Sequence, residues 1–125
     1  MLDGRVPGVE LRPEDHVADD KRVDIVAQIA PEKIVPIEVK GEWNRELWTA
    51  ADKQLDHLYV NDWRAEFGIY LVLWFGGSEL KSPPRSIPKP TSPNELRIAL
   101  TRGSAAAGKG RVSVVVLDLT RPKPL

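Results

Sequence analysis

The chain has 125 residues, with 18 Lys and Arg balanced by 18 Asp and Glu, and no cysteine. That length suits one small domain with an adequate core. The missing cysteines exclude thiol catalysis, thiolate metal centres and disulfides, and fit a reducing, cytoplasmic setting. Zero net charge gives no global pull toward nucleic acid. No apolar run approaches the roughly 18 residues of a membrane span, and the first residues have no signal-peptide character.

Residues 5–11 read as a first strand, interrupted by Pro7-Gly8, and the polar stretch 12–21 as a loop. Strands follow at about 22–29 and 34–40. Pro36 cannot donate to a ladder, which marks an edge position or a strand start. Both strands carry ionised residues where apolar ones are expected. Asp24 interrupts a Val/Ile run, while Glu38 and Lys40 alternate with Ile37 and Val39 and so share one face. A loop of three residues, Ala30-Pro31-Glu32, would close an antiparallel hairpin with Ile29 opposite Lys33. Asp24 would then face Glu38. Opposed like charges destabilise a sheet, and a divalent hard cation between the two carboxylates reverses the sign. A loop of even length would put the two acids on opposite faces. The bland alternative is a solvated charged face on an edge strand.

Residues 45–60 read as an amphipathic helix, with Asn44 as N-cap and Leu47, Ala51, Leu55 and Leu58 on one face. At about 100° per residue, Gln54 lies at the margin of that face, within reach of Glu38 and Lys40. Arg45 either contacts a phosphate or pairs with Glu46. Trp43 and Trp48 read as packing residues, and His16 and His57 stand without ligand partners. Residues 67–75 and 112–117 are unbroken apolar strands of the kind covered on both faces. Residues 76–91 form a proline-rich loop. Ser92-Pro93-Asn94-Glu95 is a capping box that opens a helix over about 93–106, and residues 121–125 read as a frayed tail. Gly103 to Gly110 imitates a phosphate-binding loop, with Val114 to Asp118 as its acid-ended strand. Gly110 stands where a Ser or Thr should hold Mg²⁺, and the helix–loop–strand order is inverted.

Asp24, a hairpin and then Glu38-Val39-Lys40 resemble the signature of the PD-(D/E)xK nuclease superfamily, over roughly residues 5–75. Gln54 on the following helix matches a glutamine of several branches. Tyr59 lies five residues on, where four is usual, and Val23 precedes Asp24 in place of proline. The helix that normally precedes the first strand finds no room. The resemblance implies a restriction-endonuclease-like α/β fold, with a central mixed sheet of four to five strands flanked by helices. It implies one nuclease-like domain over residues 1–125, the C-terminal module or a fragment of a longer bacterial protein. It further implies Mg²⁺ (or Mn²⁺) held by Asp24, Glu38 and the Val39 carbonyl, with Asp24, Glu38 and Lys40 catalytic. Gln54 and Arg45 would bind the DNA substrate, and other domains of the parent or a second copy would be partners. The implied activity is DNA endonuclease. The alternative is an inactive nuclease-fold scaffold within a larger assembly.

Overall fold

The computed structural model describes residues 10–13, 25–60 and 62–122. Five strands form one sheet in the order of the chain: β1 (Glu10–Pro13), β2 (Ile25–Ala30), β3 (Lys33–Gly41), β4 (Gly68–Trp74) and β5 (Val112–Asp118). β1, β2 and β3 run antiparallel to one another, and β3, β4 and β5 run parallel. A π-helix, Ala51–Val60, connects β3 to β4. Helices α1 (Pro93–Arg102) and α2 (Ala105–Gly108) precede β5. The α/β class and the mixed sheet are as the sequence predicts.

Period-two alternation sorts the strands onto two faces. Tyr70, Val72 and Trp74 of β4, with Val112 and Val114 of β5, are buried against Leu47, Ala50, Ala51, Leu55, Leu96 and Leu100. Val26 joins them from β2. The alternate residues of β4, Ile69, Leu71 and Leu73, are only half-buried, and Val115 and Leu117 are exposed. The described helices therefore pack on one face, not two as predicted. β5 is an edge strand with one open face, which corrects its reading as a doubly covered strand. An unbroken apolar run looks the same in both settings.

The β2–β3 hairpin departs from its expected closure in a compensating way. Its turn has two residues, Pro31 and Glu32, and Lys33 pairs with Ala30 rather than with Ile29. A bulge at Ile29 then absorbs one residue, and the ladder continues as Gln28↔Ile34 through Ile25↔Ile37. Those four pairs have the register that a three-residue loop would impose. The bulge restores the parity that the shorter turn removes.

Pro36 lies in the middle strand of the sheet, opposite Val26, not at an edge. The Ile34 N–H donates to the Arg64 carbonyl on the β4 side (3.0 Å). Alternation turns Pro36 nitrogen the same way, into the gap between the Ile34–Ala65 bridge and the first β3–β4 pair, Ile37↔Ile69. No ladder donor is needed there.

The helix predicted for residues 45–60 begins late. Residues 45–49 are turns, and Asn44 does not cap the helix; its Oδ1 accepts from the Glu46 N–H (2.8 Å). Gly68 lets the helix close on the sheet, since a Cβ there would stand 3.0 Å from Leu55 Cγ. The N-cap half of the capping box is present: Ser92 Oγ accepts from the Glu95 N–H (3.1 Å), and the Glu95 carboxylate accepts from the Thr91 and Ser92 hydroxyls. The predicted second helix breaks at Gly103, and Ser104 caps a separate short turn of helix.

Candidate functional site

β3 carries Glu38 and Lys40 on its covered face, and Glu42 follows two residues on, just past the end of the strand. Glu38 is 2% exposed, on the middle strand. The solvated-edge reading of this face is therefore wrong. An ionised group at that depth needs a partner. Lys40 supplies one: its Nζ lies 3.3 Å from Glu38 Oε2. The same ammonium lies 3.9 Å from Glu46 Oε2.

Gln54, on the π-helix, donates from Nε2 to that same Glu46 oxygen. Helices of this wide type are uncommon and often sit at functional sites. Tyr70 of β4 is fully buried beside the group, in register with Glu38. Its hydroxyl donates to the Leu47 carbonyl (2.8 Å). Burial, and then the negative charges of Glu38 and Glu46, push the phenol pKa far up, so Tyr70 remains a proton donor.

Four residues thus converge: Glu38, Lys40, Glu46 and Gln54. Three of them were legible in the sequence as candidates. Glu46 was considered there only as a neighbour for Arg45. It belongs to a stretch of turns, where no periodicity says which way a side chain points. Arg45 is exposed on the same stretch. Asp24, the predicted second acid, lies outside the described residues, immediately before Ile25. His16 and the side chains of His57, Leu58 and Tyr59 also lie outside them. Val39 belongs to the alternate set on β3, and its backbone groups point to the β2 side by the alternation that sends Ile34 toward Arg64.

Glu42, the third charge, has a structural task. It is wholly buried, and its carboxylate accepts from the backbone N–H groups of Phe75, Gly77 (3.3 Å) and Glu79 (3.3 Å). Gly77 adopts φ +86°, a conformation that presents its N–H where a larger residue would be strained. The loop after β4 is thereby wrapped around the end of β3. Trp48 reinforces this by donating from Nε1 to the Lys81 carbonyl (2.9 Å). Trp43 also packs, at the surface rather than in the core. It is 55% exposed, covers Gly41 and contacts the Phe75 ring at 5.4 Å.

The imitation phosphate loop is filled from within the protein. Ser104 Oγ donates to Asp52 Oδ1 (2.8 Å), and the Ala106 N–H donates to the same oxygen (3.0 Å). A carboxylate already holds the start of α2, and Gly110 makes a turn at φ +75°.

Two carboxylates and a strand carbonyl are oxygen donors of the kind that hard divalent cations take. Among the described residues, no group of three or more His, Cys, Asp or Glu is placed to hold a metal ion. Glu38 fits as one ligand, and completion of a site requires an acid beyond the described residues.

Fold and cluster together define a class: an α/β domain with an acid–lysine pair buried on the middle strand of a mixed sheet. The chain belongs to the family described as "Domain of unknown function (DUF8371)", whose model matches residues 5–77. The match contains all four residues of the cluster and ends just after β4. Comparisons with curated proteins and with solved structures returned no match. Among the described residues, no helix is long and apolar enough to cross a membrane.

Proposed function

We propose that this domain is a metal-dependent phosphodiesterase acting on DNA, an endonuclease with a restriction-endonuclease-like fold. The carrying observation is the buried Glu38–Lys40 pair at 3.3 Å on the middle strand. Strand order and the antiparallel β2–β3 hairpin support it. The register Ile25↔Ile37 supports it too, because one further pair in that register would bring Asp24 to Glu38.

In this reading Asp24, Glu38 and the Val39 carbonyl hold Mg²⁺ or Mn²⁺. The bound cation neutralises charge on the scissile phosphate and lowers the pKa of a water. Lys40 holds its ammonium beside the scissile phosphate and offsets the negative charge that builds there. The exposed Arg45 steadies the DNA backbone near Lys40, while Gln54 holds Glu46 beside the Lys40 ammonium. Tyr70 stays protonated and fixes the turn that carries Glu46.

A plasmid-nicking assay with Mg²⁺ or Mn²⁺ tests this. Lys40→Ala and Glu38→Gln should each lower the rate at least about 100-fold, the scale of losing a charge-stabilising group. Cleavage by both variants at the wild-type rate would overturn the assignment. The second reading, an inactive scaffold of a larger assembly, is favoured by the largely apolar face of the sheet on which no described helix packs. Wild-type protein that never nicks DNA at millimolar Mn²⁺ would select it.

A further inference from the structure

We infer that Glu46 and Gln54 form a seat for the Lys40 ammonium, which Lys40 takes up when a divalent cation binds at Glu38. This rests on the metal-site reading above. Lys40 stands between two anions, 3.3 Å from Glu38 and 3.9 Å from Glu46. The two are not equivalent. The Glu38 side chain is 3% exposed, and that of Glu46 is 41% exposed. The Glu38 carboxylate is thus shut away from water, whereas that of Glu46 is solvated.

A metal ion arriving at Glu38 meets an ammonium of the same sign within hydrogen-bonding range. The two compete for one carboxylate. Lys40 has only 15% of its side chain exposed, so water cannot fully receive its charge. Glu46 can. It is held ready from both ends, by Asn44 Oδ1 on its backbone N–H (2.8 Å) and by Gln54 Nε2 on its carboxylate. Gln54 then acts through Glu46 as a positioning residue, and Glu46 acts through Lys40. The seat keeps the lysine beside the reacting phosphate after it leaves Glu38.

The consequence is a coupling that Mn²⁺ binding reads without any catalysis. Calorimetric titration with Mn²⁺ of the full chain, Glu46→Gln, Lys40→Met and the double variant closes a cycle. Glu46→Gln should weaken Mn²⁺ about fivefold when Lys40 is present, and less than about twofold in the Lys40→Met background. Lys40→Met alone should tighten Mn²⁺, because the competitor is gone. Glu46→Asp should keep the affinity within about twofold of wild type, and Gln54→Ala should fall between. Equal weakening in both backgrounds, or none in either, overturns the seat and leaves the metal site standing. A wild-type chain that binds no Mn²⁺ at millimolar concentration overturns both. Circular dichroism checks each fold, and Lys40→Gln replaces Lys40→Met if the latter does not fold.

Discussion

The two faces of the sheet invert the usual division of labour. The covered side holds Glu38 and Lys40 on its middle strand and Glu42 just past that strand's end. The other face, from Ile37 and Val39 through Ile69, Leu71 and Leu73 to Val115 and Leu117, is largely apolar, with Ser113 its polar member on β5, and no described helix packs on it. Burying charge and exposing aliphatic surface both cost free energy. On the covered face the charge is matched side chain by side chain: Lys40 against Glu38 and Glu46, three backbone N–H groups against Glu42. The open face has no such compensation. The contrast teaches that the side of the sheet carrying the core also carries the candidate site, so stability and function share one face of this molecule.

The largest effect should come from the covered face. Glu42→Ala removes a buried acceptor and leaves three backbone donors of the 75–79 loop without their partner. Hydrogen bonds to a charged group contribute about 1.5–3 kcal/mol each, and unmade buried ones are costly, so a loss of about 3 kcal/mol or more is expected in urea unfolding. A loss below about 1 kcal/mol would mean that the loop finds other acceptors. The contrast between the faces would then weaken.

A smaller effect on the same face separates hydrogen bonding from packing. Tyr70→Phe keeps the buried ring and removes only the hydroxyl that donates to the Leu47 carbonyl. The expected cost is about 1–2 kcal/mol, the penalty of one buried acceptor left unsatisfied. It would be read as a shift in the urea midpoint at constant slope. Tyr70 also holds the turn bearing Glu46, so the variant sharpens the site argument: Mn²⁺ binding should weaken along with stability.

Much of this was legible from residue spacing. The Glu38–Lys40 alternation and the ladder register follow from the strand period, whereas Gln54, expected to reach Glu38 and Lys40 from an α-helix, sits on a π-helix and bonds to Glu46. What escaped has identifiable physical causes. Glu46 lies in turns, which impose no period. The Ile29 bulge has no residue signature, and the register survived because two departures, a shorter turn and an extra residue, cancel. Middle and edge positions look alike in sequence when the run is apolar. Pro36 suggested an edge, yet the middle strand accepts it where β4 has not yet begun to pair.

The smallest effect should come from the open face. Leu117 is 47% exposed on edge strand β5, with one neighbouring strand, β4. Leu117→Lys places an ammonium in water, where the long aliphatic stem still lies along the sheet. Surface changes of this kind usually stay within about 0.5 kcal/mol, so the thermal midpoint should barely move. A charged edge also discourages pairing with a second sheet, so solubility at high concentration should rise. If the same substitution instead lowered the midpoint by several degrees, in proportion to protein concentration, the face would be buried against another copy in solution. Leu117 would then be a core residue of an assembly, and the difference between the faces would vanish on association.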